Sequence, residues 1–392
     1  MKIAISGAGV AGPTLAYWLH RSGHEPTLIE YAPEFRTGGY VVDFWGVGFT
    51  IAQRMGIESA VRELGYQVQS IRSAHPDGRT RASLGVEPFR RAVGDRFTSI
   101  PRGDLAATVY ATIENDVETI FGDSITAVDE HTGGVCISLG RAKSREFDLL
   151  IGADGLHSNV RRLTFGVDSA PEHYLGCAVA ACVVEGYRAR DELVYVTYTE
   201  PGRSIGRFSL RGDRTMFLFL FRYPHPCDPG ETAARKTLVR NQFVNARGEC
   251  ARILAALEDI DDLYFDVVSQ IRLDRWSQGR TALVGDAAAC VSLLAGEGTG
   301  LAMTEAYVLA GELQRAGDGY RRAFDSYEAR LRTFVEGKQK SAEKFLPVFA
   351  TRTRLGVWFR DVVMNILDVV PRADLLLGRD LRDDFDLPDY SM

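Results

Sequence analysis

Several features that define other classes of protein are scarce or missing in this chain of 392 residues. It has only six cysteines, with no C-x-x-C pair and no Cys/His cluster at zinc-ligand spacing, so neither a disulfide framework nor a metal centre is expected. Reduced thiols in a cytoplasmic protein are predicted instead. No apolar run reaches the roughly 20 residues of a membrane span. No long basic run accompanies the net charge of -6, so nucleic acid is not expected as a partner.

What the sequence does contain begins with a glycine turn between two strands. The runs "KIAIS" (2–6) and "PTLIE" (26–30) predict strands, and 13–22 predicts the helix between them. In the fingerprint G-x-G-x-x-G, the first glycine permits the turn, the second admits a pyrophosphate and the third lets the helix pack closely. An acid ending the second strand can accept hydrogen bonds from ribose hydroxyls. The residues predicted to bind the dinucleotide are Gly7, Gly9, Val10, Ala11, Gly12 and Glu30.

This motif alone does not choose between NAD and FAD, and a plain strand–helix turn is the structural alternative. The chain has no second fingerprint of this kind, which favours FAD over an NAD dehydrogenase. A second motif, Gly152-Ala153-Asp154-Gly155, ends the buried run "FDLLIGADG". Taken alone, it favours a strand-end turn in which Asp154 caps a helix.

The third motif lies in "GRTALVGDAAACVSLLAGEGTGLAM", where an apolar strand ends in Gly285-Asp286. Asp286 can accept a hydrogen bond from a ribityl hydroxyl. The small residues after it leave room for a flat ring, and the following helix points its positive end at that ring. Gly298, Thr299, Gly300 and Leu301 are the predicted contacts of this helix start. An ordinary glycine loop before a capped helix is the alternative.

Together, in this order, the three motifs resemble the FAD-dependent aromatic hydroxylases of the p-hydroxybenzoate hydroxylase type, the class A flavoprotein monooxygenases. The resemblance covers essentially the whole chain. "IPRGDLAATVY" matches the family's Arg-x-x-Leu at a helix start, which places Arg102 against the cofactor. By the same resemblance, Arg36 and Asp43 flank a Gly38-Gly39 loop near the flavin; a surface pair on a glycine turn is the alternative. Within the family, "GGYVVDFWG" and the ending "LPDY" look most like the tetracycline-inactivating and polyketide-type monooxygenases.

The fold that this resemblance implies is α/β: a Rossmann-like FAD-binding domain with an inserted antiparallel β-sheet substrate domain and a C-terminal helical segment. The runs between 175 and 222 are β-branched or aromatic, as such a sheet requires, and "LYFDVVSQIRLDRW" (263–276) predicts a further strand of it. The expected division is 1–174 and 277–340 for FAD, 175–276 for substrate and 341–392 for the helical segment. The apolar tail is expected to form helices packed on the body, and a membrane or partner surface is the other reading.

Substrate would sit between the flavin and this sheet. Candidate lining residues are Trp45, Phe208, Phe217, Phe219 and His225, although strand alternation turns only about half of any strand inward. Four positions in the 290–297 loop depart from the family pattern. Val291, Leu293 and Leu294 stand where prolines are common in the 290–297 loop, and Glu297 replaces a glutamine. An acid that close to a flavin is unexpected.

The resemblance implies an enzyme in which NADPH or NADH reduces FAD, and O2 then forms a flavin hydroperoxide that hydroxylates an aromatic or polycyclic small molecule. The flavin carries the chemistry, so no catalytic side chain is proposed, and a monomer or dimer is expected. One alternative is a flavin-dependent reductase on the same fold. A halogenase is disfavoured because no two of the four tryptophans lie two residues apart. A non-catalytic FAD-binding protein is the remaining alternative.

Overall fold

The protein is described by a computed structural model in which residues 1–35, 40–94, 96–166, 172–226, 228–292, 296–369, 383 and 385–392 are described. It is an α/β fold with two large sheets. Among the described residues, no helix is both long enough and apolar enough to cross a membrane.

The first large sheet has six strands, and its central strands are parallel and buried on both faces, as near-continuous apolar runs require. In spatial order its strands are β17 (Ser277–Gln278), β18 (Thr281–Leu283), β11 (Leu149–Gly152), β1 (Lys2–Ser6), β2 (Glu25–Glu30) and β7 (Glu118–Phe121). Because β1, β2, β11 and β18 are parallel, their carboxyl ends meet at one edge. All three predicted motifs start at that edge.

The second large sheet has seven strands. Their order is β16 (Tyr264–Gln270), β12 (His173–Glu185), β15 (Arg214–Arg222), β14 (Arg203–Leu210), β13 (Val194–Glu200), β4 (Ser70–Ala74) and β5 (Thr80–Gly85). The predicted run at 263–276 does add a strand, β16. The two strands β4 and β5 come from far earlier in the chain. They join this sheet because β4 pairs in parallel with β13.

The two faces of the seven-stranded sheet differ. Helices α7 (Thr232–Gln242) and α8 (Glu249–Ala256) cover one face, where Phe217, Phe219 and Phe221 pack. We call this the helix-covered face. The opposite face, which we call the inner face, packs against Trp45 and Phe97 of the first domain.

Two small sheets and several helices complete the first domain. The small sheets comprise β3 (Val41–Trp45) with β6 (Phe97–Pro101), and β8 (Ile125–Glu130), β9 (Val135–Leu139) and β10 (Arg145–Phe147). The helices are α1 (Ala11–Arg21), α2 (Gly46–Arg54), α3 (Glu58–Leu64), α4 (Glu87–Val93), α5 (Arg102–Tyr110), α6 (Asn159–Phe165) and α9 (Asp286–Ala289). Helices α2 and α3 are separate, because Gly56 adopts a φ of 75° between them.

The C-terminal part is helical, as predicted. It comprises α10 (Gly298–Ala316), α11 (Tyr320–Phe349) and α12 (Arg354–Val369). Helix α12 docks on the edge strand β5, where Asp368 and Asn365 accept the N–H groups of Gly85 and Ser83. The last residues return to α10, and the Tyr390 ring packs over Gly311 and Tyr307.

Candidate cofactor and substrate site

The glycine turn after β1 is held by very close backbone packing. Gly7 has a φ of 105°, and a Cβ there would lie 2.5 Å from the Ala153 carbonyl oxygen. A Cβ on Gly12 would lie 2.0 Å from the Gly7 carbonyl oxygen, so α1 cannot approach with any larger residue. Val10 and Ala11 lie at the start of α1, which begins two residues before the predicted helix start at 13.

Glu30 lies beside this turn at the end of β2. Its two carboxylate oxygens accept hydrogen bonds from the N–H groups of Ala8, at 2.8 Å, and Ala32, at 2.9 Å. The acid therefore organises the glycine loop itself, in addition to its predicted contact with a ribose.

Arg102 brings a positive charge to the same edge. It is the first residue of α5, and its guanidinium would lie 3.7 Å from a Cβ on Gly9. Its backbone N–H also bonds the Tyr40 carbonyl oxygen at 3.0 Å. The side chain thus lies over the part of the loop where a pyrophosphate would approach.

Asp154 turns its carboxylate towards protein groups. It accepts the Val160 N–H at 3.0 Å and the Ser158 hydroxyl at the start of α6, and it lies 3.4 Å from the Ser6 hydroxyl. The N-cap of α6 is Ser158, whose hydroxyl oxygen accepts the Arg161 N–H at 3.0 Å, so Asp154 supports this cap rather than forming it. Gly155, with a φ of 81° and open space around it, remains a predicted cofactor contact.

Buried hydrogen bonds hold the Gly285-Asp286 turn in place, and the residues that form them were missed by sequence reasoning. Gly285 has a φ of 65°, and its N–H donates to Glu305 of α10 at 2.6 Å. The Tyr327 hydroxyl lies 3.3 Å from the same carboxylate. Burial raises the pKa of Glu305 to about 8, against the opposing effects of these donors. An acid inside the otherwise apolar start of α10 is the one sequence signal that could have found it.

Asp286 is a half-buried carboxylate to which the described residues offer few donors. Burial raises its pKa, and the charge of Arg102 opposes that rise. Among the described residues, the Cys290 thiol is the side chain that shares a hydrogen bond with it. Buried carboxylates normally find more partners than this, so Asp286 fits the hydroxyl of a bound ligand.

The start of α10 closes the site from the other side. A Cβ on Gly298 would lie 3.7 Å from an Asp286 carboxylate oxygen, and a Cβ on Gly48 would lie only 2.4 Å from Gly300 Cα. Helices α2 and α10 therefore meet through glycines. Thr299 and Leu301 lie in this first turn and are buried.

Glu297, the residue that departs from the family pattern, has a cation beside it. Lys338 of α11 lies 2.9 Å from its carboxylate, and both side chains are buried. The charge that looks misplaced in the sequence is therefore paired, and Lys338 is a residue that sequence reasoning missed because it lies 41 positions away in the chain.

Two aromatic residues join the site from different sheets. The rings of Tyr40, which precedes β3, and Tyr264, in β16, lie 5.3 Å apart. Burial raises the pKa of each hydroxyl, and the charge of Arg102 opposes the rise in both. Sequence reasoning missed both, since nothing local distinguishes them from core tyrosines.

His157 links the Asp154 turn to the second sheet. Its two ring nitrogens lie 2.9 Å from Glu172 and 3.1 Å from Asp266. Hydrogen bonds that its ring N–H groups donate to Asp266 and Glu172 raise its pKa to about 10. The cationic histidine thus tethers β16 to the carboxyl edge of the first sheet.

Asp43 and Trp45 both lie on β3 at the wall between the domains. The Asp43 carboxylate accepts the Ser99 hydroxyl, and burial raises its pKa. Trp45 packs edge-on against Phe89, with centroids 5.4 Å apart, and its ring lies 3.9 Å from a Cβ position on Gly296. Both residues line a small cavity with Glu297.

The expected substrate-lining set needs correction. Phe208 does face the first domain, but it is fully buried against Tyr66 and Tyr195. Phe217 and Phe219 lie on the helix-covered face, because they alternate with Leu218, which pairs with Ala181 and Gly206 on the inner face. His225 is exposed and packs edge-on to Tyr223, which belongs to the cluster on the helix-covered face.

Arg36, the Gly38-Gly39 loop, Leu293 and Leu294 lie outside the described residues. The segment Gly202-Arg203-Ser204-Ile205-Gly206 matches a nucleophile motif. However, Ser204 lies within β14 and its hydroxyl bonds Thr199 at 3.0 Å, rather than standing at a strand–helix turn. The position of Ser204 is therefore not that of a nucleophile.

Comparison with known proteins agrees with this geometry. A family model described as FAD binding domain matches residues 1–341. A protein of Mycobacterium tuberculosis described as uncharacterized is 36% identical over 341 residues, which cover 86% of this chain and 91% of the relative. A flavin-dependent monooxygenase of Legionella longbeachae is 34% identical, covering 87% of each chain.

Two solved structures extend the likeness. The tetracycline destructase Tet(51) superposes with a TM-score of 0.85 at 29% identity, over 99% of both chains. HpxO of Klebsiella pneumoniae, in complex with FAD and uric acid, gives a TM-score of 0.80 at 21% identity, over 97% of this chain and 96% of that one. The second likeness shows the fold alone.

Proposed function

The chain belongs to the family described as FAD binding domain and is an FAD-dependent monooxygenase, and from that premise we propose that it takes electrons from NADPH or NADH and hydroxylates an aromatic or polycyclic small molecule of the polyketide or tetracycline type. The observation that carries the proposal is the meeting of the glycine turn, Arg102, Asp286 and the start of α10 at one edge of the first sheet.

The residues at this edge suit the parts of FAD in turn. The N–H groups of the turn from Gly7 to Gly12 and the Arg102 guanidinium would hold the pyrophosphate. Glu30, which already fixes Ala8, would hold the adenosine ribose. Asp286 would accept a hydrogen bond from the ribityl chain. When bound, FAD supplies the redox chemistry, and the protein binds, orients and excludes water.

The start of α10 would face the ring of the flavin. The first N–H groups of a helix have no partner within the helix, and the positive end of the dipole favours negative charge. No side chain caps α10 in the described structure. These N–H groups would therefore stabilise the negative charge that a flavin gains on reduction.

Substrate would lie between the ring and the inner face of the second sheet. Leu218, Ala181 and Gly206 share that face and form register pairs across β15, β12 and β14. The absence of a side chain at Gly206 leaves space there. Trp45, Phe89 and Phe97 would close one end of the space against water. The likeness to a tetracycline destructase supports a polycyclic substrate.

The test is the consumption of NADPH and of NADH in air by the purified protein, with and without phenols, anthraquinones and tetracyclines. The proposal expects one compound class to stimulate consumption strongly and to gain one oxygen atom by mass. Oxidation of NAD(P)H that changes the substrate equally well without O2 would indicate a reductase. A flavin-loaded protein that oxidises neither nucleotide with any compound would indicate a binding role.

A further inference from the structure

One buried ammonium ion lies between two largely buried carboxylates at the start of α10. Lys338 Nζ of α11 is 2.9 Å from Glu297 Oε2 and 2.8 Å from Asp383 Oδ1. The lysine side chain is 8% exposed, and each carboxylate side chain is 14% exposed. Both contacts are ion pairs between an ammonium group and a carboxylate. We call these three residues the buried triad.

Such a cluster is costly to bury, so its retention indicates a role beyond stability. Burial opposes the charge on Lys338, yet the two carboxylates raise its pKa overall. Burial also raises the pKa of Glu297, and Lys338 counters that rise. With all three groups ionised, the buried triad carries a net charge of one negative unit at the start of α10.

Glu297 occupies the N-cap position of α10 but does not cap it. An acidic side chain at this position is normally drawn to the first N–H groups of the helix and to its positive end. Here Lys338 holds the carboxylate elsewhere. Those N–H groups are the ones that would face the flavin.

Asp383 ties the C-terminal tail into the same arrangement. Its second oxygen accepts the Val47 N–H at 2.7 Å, at the start of α2. Gly46 has a φ of 66°, and a Cβ there would lie 1.9 Å from that oxygen. The starts of α2 and α10 are themselves in contact through Gly48 and Gly300. Asp383, in the C-terminal tail, thus fixes the position of Lys338, and Lys338 in turn fixes the position of the Glu297 carboxylate.

We propose that Lys338 is a positioning residue that keeps the Glu297 carboxylate off the first turn of α10, so that the helix end stays open to the flavin and the charge beside the ring is fixed. The proposal rests on the proposed function because it requires FAD at this helix end. If Lys338 has this role, Glu297 should weaken FAD binding only when Lys338 is absent.

The experiment compares wild-type protein with K338M, E297Q and the double variant. Two quantities are measured: the dissociation constant of FAD, by fluorescence titration, and the midpoint potential of the bound FAD. In K338M the freed carboxylate should occupy the helix end and weaken FAD binding about tenfold. It should also lower the midpoint potential, by about 30 mV for each tenfold loss of preference for the reduced form.

The double variant decides between positioning and simple structural damage. Removing the carboxylate should restore most of the FAD affinity that K338M loses. A double variant that binds FAD as weakly as K338M, or a K338M with wild-type affinity and potential, would overturn the proposal. If K338M does not fold, E297Q alone remains decisive: it should raise the midpoint potential while FAD affinity stays within about threefold, and an unchanged potential would refute the role.

These outcomes are separate from those of the proposed function. Wild-type protein that binds FAD but does not oxidise NAD(P)H would refute the monooxygenase assignment and leave the comparison of potentials intact. Wild-type protein that takes up no FAD would refute both.

Discussion

The Glu305 carboxylate accepts the backbone N–H of Gly285, with oxygen and nitrogen 2.6 Å apart. This bond joins α10 to the turn that ends β18 and presents Asp286. The Tyr327 hydroxyl, which also lies 3.1 Å from the Leu283 carbonyl oxygen, holds the carboxylate from the other side. The cofactor turn is therefore fixed by a buried acid that does not itself face the cofactor.

Glu305 should make stability fall as pH rises. Its pKa is about 8 in the folded protein, against an ordinary value of 4.5. Between those values the folded carboxyl keeps a proton that the unfolded one has lost, so unfolding releases a proton. The contribution of the protonated Glu305 to the free energy of unfolding is complete below pH 4.5. It is lost as the pH rises through about 8, at up to about 1.4 kcal/mol per pH unit.

Glu305→Gln should flatten this part of the profile, measured by urea unfolding at several pH values. The amide oxygen can still accept the Gly285 N–H, so the fold is kept. Glu336→Gln, on an exposed part of α11, is the control and should keep the wild-type slope. A Glu305→Gln profile as steep as that of the wild type would rule out this origin.

Asp286→Ala should weaken FAD binding and leave the apoprotein as stable as before, or more so. The variant loses a hydrogen bond to a charged acceptor, about 1.5 to 3 kcal/mol. It also removes a half-buried carboxylate to which the described residues offer few donors. Asp154→Ala should instead lower apoprotein stability by about 0.5 to 2 kcal/mol, because it removes the acceptor of the Val160 N–H in the first turn of α6 and of the hydroxyl of the N-cap residue Ser158. Titration with FAD and thermal unfolding measure both; a reversal of the two patterns would contradict the assigned roles.

Gly48→Ala should destabilise the apoprotein by about 1 to 3 kcal/mol, the usual cost of overpacking. The new methyl group would lie 2.4 Å from Gly300 Cα, which is backbone and cannot move aside cheaply. The reverse change, Gly300→Ala, meets its nearest atom only at 3.6 Å. It should therefore change stability little. Equal unfolding midpoints in denaturant for the two variants would show that the helices separate freely.

Neighbouring residues of β15 should separate stability from substrate binding. Phe217→Ala empties a fully buried position beside Tyr187 and should cost about 3 to 5 kcal/mol. Leu218→Ala, on the inner face, should cost less and should change the KM for the substrate that stimulates NAD(P)H consumption. Steady-state kinetics and chemical unfolding test the pair. If Leu218→Ala leaves KM unchanged, the inner face at this strand is not part of the substrate space.

Local pattern was enough to predict the first βαβ unit, since the periodicity of β1, α1 and β2 and the glycine spacing all lie within about 30 residues. It was also enough to predict an antiparallel sheet near 175–222. It failed where pairing is distant: β4 joins that sheet only because Ser70 pairs with Val194. Nothing in "SIRSA" itself indicates that partner.

Buried charges were the other limit. Glu297 stands out in the sequence as an anomaly. Its partners Lys338 and Asp383 cannot be identified there, because residues that form an ion pair across a fold have no characteristic separation along the chain. The sequence also does not show which residues of a strand lie on the inner face of the sheet. Phe217 and Phe219 differ from Leu218 only by the parity of the alternation, which the turns on either side of β15 decide.

The most direct test of the account is the fate of heavy-isotope O2 in the reaction of the wild-type protein with the substrate that stimulates NAD(P)H oxidation. A monooxygenase should form a product carrying one labelled oxygen atom for each NAD(P)H consumed, and no product when O2 is removed. An unlabelled product, or the same product formed without O2, would contradict it.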